Sequence, residues 1–390
     1  MPRAFEENPR TMSLRDLLYF TYKYYYKPPT LPPDGEVKAF LEAKTGRDEI
    51  FETVVTVSVG GDLMPYEMIT PSNTAHLWDE VGDGFFGSDI VFANLETPLD
   101  VTKKPHFVPE VMLSHMHFNT DDITLNIFSG MGRYRGYDIL SIANNHSLDM
   151  GREGLLRTMD HLEEKGILTV GTRKTGTEKN FRIVEVKGIR IGFVAYTYSL
   201  NEYLPPDSHP WAVNYLPLNC AGCDISLIRQ DVKACREEGA DIVIASMHCG
   251  NAYQAYPSAQ TATLFKDIFE TCGVDVIAGG HPHNLQPWND YEFTDPFTGK
   301  RKTGFVIFSL GDFIAYDIFT WCHLCAYLKL EIGRNKHGEV VFRPFVRPMV
   351  MQRTGEQLKL VYAENVLAGD DLKGELKDLK ILYDICMKRS

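Results

Sequence analysis

Short apolar runs recur along the middle of the chain, and helical patterns separate several of them. The runs are four to eight residues long and cover 54–61, 89–93, 138–143, 241–247 and 275–278. Runs of this length predict buried strands, which are typical of a sheet covered on both faces. Amphipathic helices are predicted at 151–165, at 225–238 and after Pro257. The alternation of strands with helices predicts an α/β fold built from crossover units.

The regions on either side differ in pattern, and they divide the chain into three parts. Residues 1–50 are predicted as an N-terminal helical and aromatic extension, which packs on the main domain or, alternatively, docks a protein partner. The main domain is predicted over 51–350. Residues 351–390 are predicted as a C-terminal helical tail with its helix at 369–388. Further strands of the main domain are predicted at 181–186, 189–196, 305–310, 325–332 and 340–345.

Composition limits the classes of function that the chain can serve. Its 390 residues carry a formal net charge of −12, which disfavours a general nucleic-acid binder because phosphate contacts require a basic face. The N-terminus shows no apolar leader, and no run approaches the roughly 20 apolar residues of a membrane-spanning helix. Eight cysteines are too few for a disulfide scaffold in a chain of this length. We therefore expect a cytoplasmic protein with reduced thiols, no membrane span and no nucleic-acid partner.

Each of the five apolar runs leads into polar side chains that can bind metals. Because ligands bind at the carboxyl ends of strands in open α/β sheets, these side chains are expected to converge. Carboxylate and amide oxygens combined with imidazoles suit Mn, Fe or Zn, whereas an all-oxygen cage suits Ca or Mg. A single histidine is more often structural, but five strand-end clusters in one chain favour a metal site. The candidate residues are Asp62, Glu96, Asn145, His146, His248, His281 and His283.

Such a set of ligands has a defined chemistry. One carboxylate can bridge two cations about 3.5–4 Å apart, with histidines completing each shell. The cations lower the pKa of bound water, which then supplies a hydroxide nucleophile near neutral pH. A histidine outside the coordination shells could protonate a leaving oxygen.

Six sequence motifs between residues 52 and 316 are more specific than this general chemistry. They are GDLM at 61–64, ANLETP at 93–98, ANNHSLD at 143–149, HCG at 248–250, GHPHNLQP at 280–287 and SLGDFI at 309–314. With these motifs in this order, the chain resembles the poly-γ-glutamate capsule-synthesis family of CapA type, a branch of the calcineurin-like metallophosphoesterase superfamily. The resemblance covers about two-thirds of the chain. It is specific for the family and much less so for the substrate.

The resemblance implies a four-layer α/β/β/α sandwich of the metallophosphoesterase type, with helical additions at both ends, and a centre of two divalent cations (Mn, Fe or Zn). One cation would be held by Asp62, by His283 and by Glu96, which bridges the two cations. The other cation would be held by Glu96, Asn145, His248 and His281. His146 would act as the acid toward the leaving group, and Asp149 would either orient His146 or cap the following helix.

Three positions depart from the pattern that the resemblance implies. Met64 stands where superfamily members usually carry a histidine, so the first cation has fewer protein ligands and is expected to bind more weakly. Ala252 stands where many relatives have a glutamate, which affects the expected substrate contacts. Asp312 replaces a common asparagine and adds a negative charge near the site.

The function implied by the resemblance is metal-dependent hydrolysis. The first interpretation is attack of a metal-bound hydroxide on a small-molecule phosphoester, linked through the family to poly-γ-glutamate and capsule metabolism. One alternative is hydrolysis or transfer at a γ-glutamyl amide, with the same nucleophile. The other alternative is a non-catalytic, metal-stabilised subunit of a polymer-synthesis complex, in which residues 1–50 dock a partner.

Overall fold

The computed structural model describes residues 13–25, 32–43, 51–110, 117–204, 207–369 and 371–387. Its strands are β1 (Glu52–Leu63), β2 (Ile90–Leu95), β3 (Ile139–Ser141), β4 (Leu168–Val170), β5 (Arg182–Val186), β6 (Ile189–Thr197), β7 (Ile242–His248), β8 (Val276–Gly280), β9 (Leu285–Thr294), β10 (Arg301–Leu310), β11 (Asp312–Ile314), β12 (Leu324–Arg334), β13 (Val340–Thr354) and β14 (Gln357–Tyr362). Its helices are α1 (Leu14–Tyr25), α2 (Gly35–Glu42), α3 (Gly82–Phe86), α4 (Asp122–Phe128), α5 (Gly151–Glu164), α6 (Ser226–Glu237), α7 (Ala259–Asp267), α8 (Ala363–Leu367) and α9 (Glu375–Met387).

The strands form two sheets. The first has the order β14-β13-β12-β1-β2-β3-β4, with β11 pairing in parallel at the end of β1. Strands β1 to β4 are parallel, whereas β12, β13 and β14 form an antiparallel meander against β1. The second sheet has the order β5-β6-β7-β8-β10-β9, in which β6, β7, β8 and β10 are parallel. The parallel strands therefore bring their carboxyl ends to one edge of each sheet.

Alternate residues of β6 show how the two sheets are layered. Phe193 stacks on Phe92 of the first sheet, with ring centroids 5.4 Å apart. Its neighbour Val194 points the other way and belongs to the core that α6 and α7 share with the second sheet. The second sheet packs on one face of the first sheet. The helix α5 connects β3 to β4 and covers the other face of the first sheet. The predicted α/β class and the four-layer sandwich are confirmed.

Most predicted elements are present, but the C-terminal tail differs. The hairpin predicted at 181–196 is β5 and β6, and the predicted helices at 151–165 and 225–238 are α5 and α6. The boundary predicted at residue 350 falls inside β13, and β14 continues the first sheet. Leu358 and Leu360 of β14 are buried in the main core, which explains why this segment is strand and not part of a helical tail. The terminal helix α9 begins only at Glu375.

The described parts of the N-terminal extension pack on the main body. Phe40 of α2 meets Phe308 of β10 at 5.5 Å between ring centroids, and its carbonyl accepts a hydrogen bond from Asn289 Nδ2 at 2.8 Å. Phe20 of α1 lies 5.7 Å from the ring of Tyr253. Residues 1–12, 26–31 and 44–50 of the predicted extension lie outside the described residues. Among the helices that the structure describes, none combines the length and the apolar character needed to cross a membrane.

Candidate metal centre

The candidate ligands of the sequence analysis meet at one edge of the sandwich. Asp62 lies at the end of β1, Glu96 follows β2, and His248 ends β7. The loop after β3 carries Asn145 and His146, and the turn after β8 carries His281 and His283. All of them except His283 are less than a tenth exposed, and the imidazole of His283 is 13% exposed. The structure thus brings the predicted residues together from both sheets.

Three of the candidate ligands, Glu96, His248 and His281, form a close group, and their potential ligand atoms all lie within 4.8 Å of one another. Glu96 is fully buried, and neither of its carboxylate oxygens has a hydrogen-bond partner within the described part of the chain. His248 Nε2 lies 3.4 Å from Glu96 Oε1. A buried carboxylate without donors is energetically costly. This donor set fits a divalent cation of the type that binds both imidazole and carboxylate.

Asn145 and His248 face each other in the same cluster. Asn145 Oδ1 lies 2.7 Å from His248 Nε2, and Asn145 Nδ2 donates to Asn201 Oδ1 at 3.1 Å. The bond to Asn201 fixes the orientation of the amide, so that its oxygen points toward the imidazole. An amide oxygen held in this way is suited to accept a hydrogen bond or to bind a cation.

Asp62 connects the two sheets at the centre. Its Oδ1 accepts a hydrogen bond from Asn94 Nδ2 at 2.7 Å, and its Oδ2 accepts one from the backbone N–H of His281 at 2.9 Å. A Cβ atom at Gly280 would stand 2.7 Å from Asp62 Oδ1, so glycine at this position leaves the room that the Asp62 carboxylate occupies.

The turn after β8 has an unusual backbone. His281 has φ 90° and His283 has φ 64°, both in the left-handed region that residues other than glycine rarely adopt. Such a conformation persists only where the surrounding structure enforces it, and it is most frequent at functional sites. Here it directs two imidazoles, whose ring centroids are 5.5 Å apart, toward the same edge of the sheet.

The buried carboxylates of the cluster favour a positively charged group beside them. Burial opposes ionisation of Glu96, but His248, His283 and His146 together lower its pKa to about 2. Burial likewise opposes protonation of His248, yet the carboxylates of Glu96 and Asp62 raise the pKa of that imidazole to about 9. The buried carboxylates thus stabilise a positive charge beside them.

His146 and Asp149 form a pair at the side of the cluster. His146 Nδ1 lies 2.7 Å from Asp149 Oδ2, which also accepts the backbone N–H of Phe118 at 2.7 Å. The ring of Phe118 stacks on the imidazole at 4.0 Å. The cap position of α5 is occupied by Met150, and no side chain caps the helix. Of the two roles considered for Asp149, the structure therefore shows the contact with His146 and no helix cap.

Some residues of the site were missed by sequence reasoning. Asn94, which was quoted only as part of a motif, donates to Asp62 and accepts from Asn144 Nδ2 at 3.2 Å. Its position at the end of β2, two residues before Glu96, is the same strand-end signal that pointed to the candidate ligands. Asn201, the partner of Asn145, lies in a loop after β6, and no strand-end pattern in the sequence pointed to it.

Comparisons with known proteins give the family context. The sequence model of the family described as bacterial capsule synthesis protein PGA_cap matches residues 56–317. The capsule biosynthesis protein CapA of Bacillus anthracis is 25% identical over 268 residues, which are 67% of this chain and 59% of that protein. The chain therefore spans less than two-thirds of that relative's length.

Two further similarities extend this comparison. The PGA biosynthesis protein CapA of Bacillus subtilis (strain 168) is 22% identical over 344 residues, 86% of this chain and 83% of that protein. Among solved structures, the calcineurin-like phosphoesterase YfkN from Bacillus subtilis aligns with a TM-score of 0.41 and 16% identity, covering 75% of this chain and 90% of that chain. This superposition is partial, so the family assignment rests on the sequence match.

Proposed function

The chain belongs to the bacterial capsule synthesis protein family PGA_cap, and from this premise we propose that it is a metal-dependent hydrolase. The observation that carries the proposal is Glu96, whose buried carboxylate oxygens have no hydrogen-bond partner among the described residues. Burying such a group costs free energy unless a cation or donor compensates for it. Its place beside two imidazoles supports a role in binding a cation.

The proposed ligands form two groups that share Glu96. The first group contains Asp62, Glu96 and His283, and the second contains Glu96, Asn145, His248 and His281. Two divalent ions such as Mn, Fe or Zn suit these nitrogen and oxygen donors. We expect the first ion to bind more weakly, because Met64 contributes no imidazole. When bound, the ions would polarise the electrophile and lower the pKa of water at the site.

His146 would donate a proton to the leaving oxygen. In the proposed role, Asp149 Oδ2 would accept a hydrogen bond from Nδ1 of His146 and so orient the ring. Nε2 would then carry the proton that is given to the leaving oxygen. Phe118 supports both residues, through its ring and its backbone N–H, and thereby limits rotation of the imidazole.

A small-molecule phosphoester is the proposed substrate, as the resemblance of the motifs to the metallophosphoesterase superfamily suggests. The Bacillus subtilis relative is named for PGA biosynthesis, and this name makes a γ-glutamyl amide the alternative electrophile. The same ligands and the same acid would serve hydrolysis or transfer at that amide. Either reaction would link the chain to capsule metabolism.

A non-catalytic role is the second candidate, and two observations favour it. Met64 leaves the first group of ligands short of an imidazole. On α1, Leu14, Leu17 and Leu18 are all at least half exposed and lie on one face of the helix, which is suited to a protein partner. In this role the chain would be a metal-stabilised subunit of a polymer-synthesis complex, docked through residues 1–50.

We also propose that the chain acts in the cytoplasm without a nucleic-acid partner. Every cysteine in the described residues is a free thiol, and reduced thiols are the rule in cytosolic proteins. The net charge of −12 is unfavourable for contacts with a phosphate backbone.

The proposal is tested by removing metals with a chelator, adding back Mn²⁺, and measuring hydrolysis of an aryl phosphodiester, an aryl phosphomonoester and a γ-glutamyl arylamide. We expect one of the phosphoesters to turn over only in the reloaded protein. Turnover of the arylamide alone would support the γ-glutamyl alternative. Failure of all three substrates with Mn²⁺ bound would contradict the phosphoesterase assignment and favour the non-catalytic subunit.

A further inference from the structure

Asp312 is a buried acid that neither group of proposed metal ligands uses. It begins β11 and is aligned with Asp62 of β1, and its side chain is almost fully buried. Its Oδ1 lies 3.0 Å from His283 Nδ1, whereas its Oδ2 has no hydrogen-bond partner within the described residues. A carboxylate in such a position is costly to bury, and its side-chain hydrogen bond among the described residues is the one with His283.

The contact with His283 determines which ring nitrogen can bind a metal. His283 Nδ1 faces Asp312 Oδ1, so this nitrogen is engaged by the carboxyl group. Nε2 is then the ring nitrogen that can face a cation. Tyr253 stacks on the same ring at 5.4 Å, with an angle of 22° between the planes. The contact with Asp312 and the stacking together fix the orientation and the plane of the imidazole.

We propose that Asp312 is a positioning residue that holds His283 in the orientation required to bind the first cation. This inference rests on the proposed function in that it takes His283 as a ligand of that cation. The first group offers few protein ligands, since Met64, two residues after Asp62, contributes no imidazole. Its affinity therefore depends strongly on how well each remaining ligand is oriented. Partners of this kind on metal-binding histidines typically contribute about 10–100-fold to metal affinity.

The test is a Mn²⁺ titration of the full-length protein, followed by electron paramagnetic resonance, for the wild type, Asp312→Ala and Asp312→Asn. We expect Asp312→Ala to weaken the weaker of two Mn²⁺ sites by about 10–100-fold and to leave the tighter site unchanged. Asparagine keeps an oxygen that can accept a hydrogen bond from Nδ1, so Asp312→Asn should lose less affinity than the alanine variant. Wild-type affinity at both sites in Asp312→Ala would overturn the proposal.

A control variant and a double mutant separate positioning from general damage to the fold. Asp231 accepts hydrogen bonds from Tyr196 and Asn180 on the outer side of the second sheet, so Asp231→Ala removes a comparable acid away from the site. It should leave both Mn²⁺ affinities unchanged. If Asp312 acts through His283, Asp312→Ala should have no further effect in a His283→Ala background, whereas additive losses would contradict the proposal.

The titration measures metal binding and not turnover. A failure of the positioning role of Asp312 can therefore be distinguished from a failure of the proposed function. A wild type that binds two Mn²⁺ ions but hydrolyses no substrate would contradict the proposed function alone. Asp312 could still be seen to position His283 in such a protein, because the loss of affinity in Asp312→Ala would persist.

Discussion

Replacing Glu96 by glutamine is expected to lower metal-dependent hydrolysis by at least about 10³-fold while the fold is retained. Glu96 is the only proposed ligand shared by both cations, so its loss affects both groups of ligands. Glutamine has nearly the same shape and can still occupy the buried position. The charge is what is removed, and a loss of about 4 kcal/mol of stabilisation in the transition state corresponds to this rate effect. Initial rates at saturating Mn²⁺, measured beside circular dichroism spectra, would show the effect.

A matched control is available at the opposite end of the second sheet. Asp295 is buried in the turn between β9 and β10, where it accepts the backbone N–H groups of Phe297 and Thr298. Asp295→Asn also neutralises a buried acid, but it lies outside the proposed site and should keep the wild-type rate. If Glu96→Gln kept full activity under the same conditions, the hydrolase proposal would be wrong.

Replacing His146 by alanine is expected to lower kcat by about 10²–10⁴-fold for a substrate with an alkoxide leaving group. The acid is needed most where the leaving oxygen is strongly basic. The loss should therefore be much smaller for a 4-nitrophenyl ester, whose leaving group departs without protonation. Asp149→Asn should show the same dependence on the leaving group with a smaller loss, since it disturbs only the orientation of the imidazole. Binding of Mn²⁺ should stay at the wild-type level in both variants.

The control for this experiment is another histidine–carboxylate pair. His161 lies in the last turn of α5, where its Nε2 is 2.8 Å from Asp122 Oδ1. His161→Ala therefore removes a similar pair outside the site. It should leave kcat unchanged for both types of ester. An equal loss for good and poor leaving groups in His146→Ala would argue against the role as an acid.

Much of the fold could be predicted because local pattern and global burial agree. The runs at 54–61 and 241–247 consist mostly of apolar residues, as expected for strands with sheets or helices on both faces. The segment around β14 was missed because alternating residues such as Leu358 and Leu360 show only a weak pattern in a six-residue strand. This segment is a strand because it pairs with β13, and local propensity does not predict that pairing.

The candidate site was also largely predictable, since strand ends collect at one edge of a parallel sheet. Asp62, Glu96 and His248 could be identified in this way. The contact between Asp312 and His283 could not, because it depends on the path of the turn after β8 and on the rotamer of each side chain. The partnership of Asn145 with Asn201 likewise spans a loop whose course the sequence does not specify.

The most direct test of the account is the metal content of the purified wild-type protein after loading with Mn²⁺ and extensive dialysis. Inductively coupled plasma mass spectrometry should find about two ions per chain, or one retained ion with a second that appears when Mn²⁺ is present in the buffer. Glu96→Gln, prepared in parallel, should retain less than one. A wild type that retains no metal and takes up none on titration would contradict the assignment of a metal centre to the strand ends.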